Sequence, residues 1–483
     1  MNYPILCKNL IIGSGPGSAV AAYELSKAGH EVIVLEEGDK YDKVFYKNSI
    51  QGLTSELYRN GGIFPFFGKP SVAFAEARCL GGGSVINGGL IWRTPKFVLD
   101  EWVEKKILPK SFIKSLVRHF PFVESMLEVG YSKEINGNED SNIIKKTSIK
   151  LKWKCVDVPR AGGGLCKNSN RCATGCPKAA KKSVDLNYLY LAKKFGAQIF
   201  TSHKVVKLLH DKKTILEVHV LDIKSNKIVK FKPENVWFGA GAIHTPFLLK
   251  KHGISKNAGK KLEFHLNLKF IAEFDKSINA EDGTIFTQQI QHFIKKGILF
   301  MPTNYRPEYL ATSLSHFDNL TIKHVFKNYD KHGMFVSQIR PSSQAKIYSF
   351  TDSPIVTYKL KTQDFLLIKD SFRLMAKLLF KSGAKKIYCP VSNFNPVRNE
   401  EDLDILLKKM KPNDLQMISV HIMSSCQMGS AKDSVVDLNG KLRNFKNIYI
   451  VDASVLPTNI GESPQGTIMA FSHETLKRFI FKW

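Results

Sequence analysis

The chain opens on a short apolar run, Asn9–Ile12, that passes straight into Gly13-Ser14-Gly15-Pro16-Gly17-Ser18. Ala19, Val20, Ala22, Tyr23, Leu25 and Ala28 then supply one apolar helical face. A second apolar run, Glu31–Leu35, follows and ends on Glu36. Strand, glycine turn, helix and strand in that order predict a βαβ unit, whose parallel strands need a sheet covered on both faces. Gly13-x-Gly15-x-x-Ser18 approximates the G-x-G-x-x-G dinucleotide fingerprint. Gly13 permits the tight turn, Gly15 lets backbone approach a pyrophosphate, and Ser18 is small enough to replace the third glycine where helix meets strand. The helix start presents free N–H groups and partial positive charge to phosphate. Glu36 is placed to accept from a ribose diol. Together these features predict dinucleotide binding, without separating FAD from NAD.

Beyond this unit, residues 96–150 read as mostly helical, and 185–260 as alternating helix and strand with one strand over Phe200–Val206. From about 266 to 360, short apolar stretches between turn residues predict antiparallel sheet. Asp364–Ser382 has helical periodicity, Ile448–Val451 reads as a strand, and Thr467–Phe479 as a closing helix. The expected fold is therefore α/β: a Rossmann-type dinucleotide-binding domain with an inserted α+β substrate (cap) domain on a mostly antiparallel sheet. The expected division gives 1–95, 185–265 and 412–483 to the first domain and 96–184 and 266–411 to the second.

With 483 residues, 43% of them hydrophobic, the chain can bury a large core. It contains no run long and apolar enough for a transmembrane helix and no leader-like N-terminus, which sets a cytoplasmic expectation. Lys and Arg exceed Asp and Glu by 28. The basic residues are scattered, with no basic helix set apart from acidic neighbours, so nucleic acid is not the expected partner. The tail, Lys477-Arg478-Phe479-Ile480-Phe481-Lys482-Trp483, mixes basic and aromatic residues and suits weak peripheral contact with an anionic membrane.

Three further blocks sharpen the reading. Ala77-Arg78-Cys79-Leu80-Gly81-Gly82-Gly83-Ser84-Val85-Ile86-Asn87-Gly88-Gly89 is a bare-backbone loop suited to phosphate and ring atoms. Gly239-Ala240-Gly241-Ala242-Ile243-His244-Thr245-Pro246 is a second glycine block. The C-terminal block runs from His421 through Ser425-Cys426-Gln427-Met428-Gly429 and Val451-Asp452-Ala453-Ser454 to Pro464-Gln465-Gly466-Thr467. In their order and extent these blocks resemble the glucose–methanol–choline (GMC) family of FAD-dependent oxidoreductases. The nearest branches are cholesterol-oxidase-like and long-chain-alcohol-oxidase-like, on the cue of Ala180–Leu189. The resemblance implies that Gly13, Gly15, Gly17, Ser18 and Glu36 surround FAD, with Gly82, Gly83, Ser84, Asn87 and Gly88 from the second loop. Asp452, Gln465 and Thr467 would join them, and Val206 would offer its backbone to the adenine. Some relatives attach flavin through a histidine just before the signature asparagine. Here that position is Ile86, which implies non-covalent FAD.

Alcohol oxidation needs a group to take the hydroxyl proton, and neutral imidazole suits the task. By resemblance His421 is that base, with hydride passing to flavin N5. The family's second His or Asn is replaced by Ser463, which can donate one hydrogen bond but cannot take up positive charge. That departure leaves two other readings open: an FAD-dependent lyase or isomerase, and a flavoprotein with a degraded site. His244 and His265 lie near the blocks and receive no role.

Of eight cysteines, three cluster as Cys166-x5-Cys172-x3-Cys176-Pro177. The ending Cys-x3-Cys-Pro is like the close of a bacterial ferredoxin run. The spacing also resembles that of FAD sugar dehydrogenases of this family that carry a 3Fe-4S cluster. Such a cluster would relay electrons to an acceptor protein or quinone. A zinc site with Cys155 as fourth ligand, and a cysteine loop without metal, are the alternatives.

Overall fold

A computed structural model describes residues 3–133 and 138–481. Met1, Asn2, Lys482 and Trp483 lie outside the described residues, so the last two positions of the basic–aromatic tail do too. Two large sheets organise the chain. The first has seven strands. Its centre is the parallel set Gln198–Phe200, Val32–Leu35, Ile5–Ile12, Lys227–Phe238 and Ile448–Ile450. Leu10, Ile11, Val34 and Val236 are fully buried, as strands covered on both faces must be. The helix Pro16–Lys27 and the closing helix Gln465–Ile480 pack together against it, and the Ser472 hydroxyl donates to the Gly17 carbonyl at 2.7 Å.

Two segments depart from the expected pattern. The strand expected over Phe200–Val206 is interrupted because Ser202 adopts a left-handed φ of 59°. Gln198–Phe200 ends the parallel edge, and His203–His210 starts a different strand. The expected helix–strand alternation also gives way to an antiparallel meander of His203–His210, Ile215–Asp222 and Lys227–Phe238. The links between these strands are too short to hold a helix.

The second sheet has nine strands. Its middle is the antiparallel trio Leu266–Glu273, His332–Ile339 and Ile298–Pro302. It also takes in Phe64–Phe66, Val72–Phe74, Cys155–Asp157 and Ile418–Ser419. The expected helix after this region spans Thr362–Lys381, and two shorter ones, Pro307–Leu314 and Asn319–Lys327, were not evident from periodicity. No helix of the described residues is long and apolar enough to cross a membrane. In the tail, Phe479 packs on Trp237 and Tyr449, and Arg478 pairs with Glu474 at 2.7 Å. Phe481 is 67% exposed.

Candidate active site

A single cavity of about 1370 Å³ runs between the two sheets. That exceeds the room one small ligand needs and suits a dinucleotide with a substrate beside it. Gly13, Gly15, Gly17 and Glu36 line one end, with Val205 and Val206. Gly82, Gly83, Asn87, Gly88 and Asp452 line it too, as do His421, Ser463 and Gln465.

The glycine turn fits a dinucleotide by its own geometry. The helix begins at Gly15 with no side-chain cap, so its first N–H groups are left for an anion. A Cβ on Gly15 would meet nothing within 4 Å and would simply fill the cradle. A Cβ on Gly17 would sit 1.6 Å from the Val451 carbonyl oxygen. Gly13 holds φ 93° against the Gly239 backbone. The two glycine loops are stitched together: the Ser14 hydroxyl donates to Glu36 at 2.6 Å and accepts from the Gly81 N–H at 3.0 Å. Burial raises the Glu36 carboxyl, opposed by these bonds and by the Gly38 N–H.

Three residues associated with FAD by resemblance do not line the cavity. Ser18 points its hydroxyl at the Gly239 carbonyl, 3.5 Å away, at the helix–strand contact. Ser84 donates to the Gly81 carbonyl and accepts from the Val184 N–H. Thr467 is fully buried and its hydroxyl meets that of Thr94 at 2.9 Å. Asp452 works on two fronts. One oxygen accepts from the Gly241 N–H and the Thr245 hydroxyl, and the other from the Ser454 N–H and hydroxyl. Asn87 donates to Gln465 at 2.5 Å, fixing both amides at the cavity wall.

His421 faces the cavity and is bonded from behind. Its Nδ1 lies 3.0 Å from Nδ1 of His265, and the His265 backbone N–H donates to the His421 carbonyl at 3.1 Å. One proton serves the two facing nitrogens. When His421 donates it, His421 Nε2 is left as an acceptor, and Nε2 has no protein partner among the described residues. Burial pushes the His421 pKa down to about 4, and holds His265 well below the usual histidine value with help from His421. Both rings are neutral at neutral pH. Ser463 lines the same cavity, and its backbone is tethered by Glu462. Glu462 accepts from the amides of Gln289 and Gln291 at 2.7 and 2.8 Å, and burial raises its pKa to about 8. His265 was missed from sequence, although it stands two residues before Asn267, which lines the cavity. A half-buried charge network was missed as well. Arg59 joins Glu37 at 3.0 Å and Glu76 at 3.9 Å, and His244 meets Glu76 at 3.3 Å.

Cys166, Cys172 and Cys176 share a small separate cavity with Arg160, Lys181 and Thr284. Arg160 donates to the Cys172 sulfur at 3.5 Å, and Thr284 to the Cys166 sulfur at 3.1 Å. The buried Lys181 ammonium bonds the carbonyls of Val85, Asn87 and Cys172. It thereby ties the cysteine loop to the loop that walls the large cavity, and Ala173 lines that large cavity too. Cys155 lies apart, on a strand beside Gln288. Sulfurs around one zinc ion stand about 3.8 Å apart. Among the described residues, the group of ligand atoms meeting within 4.8 Å of one another is Glu273, His324 and His332, not the cysteines. The zinc arrangement is therefore not formed. The three thiols lie beside two buried cations, Arg160 and Lys181, whose charge would balance an anionic iron–sulfur cluster.

The sequence matches the GMC oxidoreductase family over two regions, residues 54–267 and 342–472, and an NAD(P)-binding Rossmann-like domain over 11–41. The chain belongs to the GMC oxidoreductase family. It is therefore an FAD-dependent oxidoreductase. Similar proteins include the GMC-type oxidoreductase y4nJ of Sinorhizobium fredii, 27% identical over 96% of this chain and 92% of the relative. Long-chain-alcohol oxidase FAO3 of Arabidopsis thaliana is 26% identical over 97% of this chain and 67% of its own length. Cholesterol oxidase of Acinetobacter baumannii is 24% identical over 97% and 93%. Among solved structures, pyridoxine 4-oxidase from Mesorbium loti superposes with a TM-score of 0.76 at 13% identity, covering 98% of this chain and 99% of that one. At that identity the likeness concerns the fold.

Proposed function

We propose that this flavoenzyme oxidises the CH–OH group of a small-molecule alcohol, with His421 as the base. The observation that carries the reading is the backed imidazole: Nδ1 of His421 meets Nδ1 of His265 at 3.0 Å, and the ring lines the cavity. The FAD cradle is formed by Gly13, Gly15, Gly17, Gly82, Gly83 and the neighbouring Asn87 and Asp452. Bound FAD, held without a covalent link since Ile86 offers no attachment, supplies the hydride acceptor. The protein's own residues handle the proton. His421 Nε2 takes it from the alcohol, and the imidazolium so formed donates through Nδ1 to His265. The Ser463 hydroxyl, lining the same wall, donates to the substrate oxygen in place of a second imidazole. The same reading gives cofactor binding to 1–95, 185–265 and 412–483 and substrate enclosure to 96–184 and 266–411, with strands at 64–74 and 418–419 lent to the second sheet.

Anaerobic addition of alcohols tests this reading: the oxidised flavin spectrum should bleach stoichiometrically. A lyase or isomerase would turn over without bleaching. The pH dependence follows from the depressed His421 pKa. A base is active when unprotonated, so kcat/KM should hold as pH falls through 6 and 5 and drop only near pH 4. An acid limb at or above the ordinary histidine value would remove His421 from this role.

The cysteine loop suggests the path onward. Cys166, Cys172 and Cys176 would hold a 3Fe-4S cluster that passes electrons to a protein or quinone acceptor, with Arg160 and Lys181 balancing its charge. Anaerobically purified protein should then contain iron and acid-labile sulfide. Both should be lost in Cys172→Ser while flavin is retained. Protein with full flavin and no iron would leave dioxygen as the acceptor.

A further inference from the structure

The cavity wall opposite the glycine turns is one face of the second sheet. Side chains alternate along a strand, so Asn267 and Lys269 of Leu266–Glu273 point the same way, and both line the cavity. Their register partners on the next strand, Gln338 and Val336, also line it, as do Met301 and Thr303 beyond. This wall is made of amides, a hydroxyl and apolar groups, with one ammonium among them.

That ammonium has no partner. Lys269 makes no hydrogen bond or ion pair with any described residue. Other enclosed lysines are treated differently: Lys181 bonds three carbonyls, and Lys250 bonds the Ile347 carbonyl. The acids that line the cavity are engaged elsewhere. Glu36, Glu37, Glu76 and Asp452 belong to the glycine-turn end and its networks, Glu308 acts on Arg171 and Tyr309, and Asp352 pairs with Lys251. Burial alone acts on Lys269, lowering its pKa to about 8, which still leaves it charged at neutral pH. Lys269 is half-buried on the cavity wall, and an enclosed ammonium left without a counter-charge is completed favourably by a ligand anion.

The position gives a length as well as a charge. His265, which holds His421, stands in the break between the strands Glu263–Phe264 and Leu266–Glu273, four residues before Lys269. At about 3.3 Å per residue of extended chain the two backbone positions are at most about 13 Å apart. We infer that Lys269 anchors an anionic group of the substrate, so that the alcohol oxidised here is an elongated molecule with its hydroxyl at one end and a carboxylate or phosphate at the other. This rests on the alcohol-oxidising reading above.

The test uses the flavin-loaded enzyme and three series of graded chain length: n-alkanols, ω-hydroxy carboxylates and ω-hydroxyalkyl phosphates. The wild type should favour one anionic series over n-alkanols in kcat/KM by about 10- to 100-fold, the range of a charge-assisted hydrogen bond. The winning series distinguishes carboxylate from phosphate. In Lys269→Met that ratio should collapse toward one, chiefly through KM, and Lys269→Arg should recover part of it. A wild type that favours neither anionic series, or a ratio unchanged in Lys269→Met, overturns the proposal. Unreactive alkanoates and alkyl phosphates, followed by perturbation of the flavin absorption, separate the two readings. If no alcohol bleaches the flavin yet an unreactive anion binds wild type tightly and Lys269→Met at least about tenfold more weakly, the anion site stands and the oxidation reading falls. If no such anion binds, the anion site falls too.

Discussion

His421→Ala is expected to retain FAD with an ordinary oxidised spectrum and to lose about 10²- to 10⁴-fold in kcat, the usual worth of a positioned general base. The size of the effect follows from what else is in reach. Ser463 has a hydroxyl, whose proton affinity is too low to accept the substrate proton at neutral pH. His265 is fully buried behind His421 and does not line the cavity, so it cannot take over directly. Ser463→Ala removes a single neutral hydrogen bond and should cost about tenfold. His265→Ala should produce an intermediate loss accompanied by a shifted acid limb, because the tautomer of His421 is then no longer held. Added imidazole should restore part of the His421→Ala rate. Stopped-flow reduction of the flavin by alcohol measures all four enzymes. A His421→Ala enzyme that reduces flavin at the wild-type rate would assign the base elsewhere.

What could be read from sequence divides along physical lines. That His421 lines the cavity was legible because it lies close in the chain to the turn Ser425–Gly429 and the block that follows. His265 was not, since it meets His421 across 156 residues and only strand pairing brings them together. Lys269 was invisible for another reason: in a chain with 71 basic residues, one unpaired lysine stands out only when its surroundings are known. The parallel core was legible from its uninterrupted apolar runs. The break at Ser202 was not, because a left-handed serine carries no signal in hydrophobic pattern. Thr467 was drawn toward the cofactor by its place in a glycine-containing block, yet its hydroxyl turns back to Thr94. A block's motif identifies its backbone path better than it identifies where each side chain faces.

The glycines of the first turn separate folding from cofactor binding, and this is the second large effect. Gly15 has an ordinary φ of −64° and open space where a Cβ would stand. Gly15→Val should therefore fold with near wild-type stability in the absence of cofactor. Its side chain would occupy the cradle in front of the uncapped helix start, where phosphate needs bare backbone. FAD affinity should fall at least about 100-fold, or about 2.8 kcal/mol. Gly17 faces the other way. An alanine Cβ there would overlap the Val451 carbonyl oxygen, which belongs to the backbone and cannot swing aside. Helix and sheet would have to part at the point where the Ser472 hydroxyl also holds the Gly17 carbonyl. Gly17→Ala should cost about 3 kcal/mol of stability, at the upper end for overpacking, whether or not cofactor is present. Denaturant unfolding and FAD titration on each variant read the two effects separately. Equal losses of stability in both variants would mean that the turn serves only to pack the helix on the sheet. Undiminished FAD binding by Gly15→Val would place the dinucleotide somewhere other than this cavity.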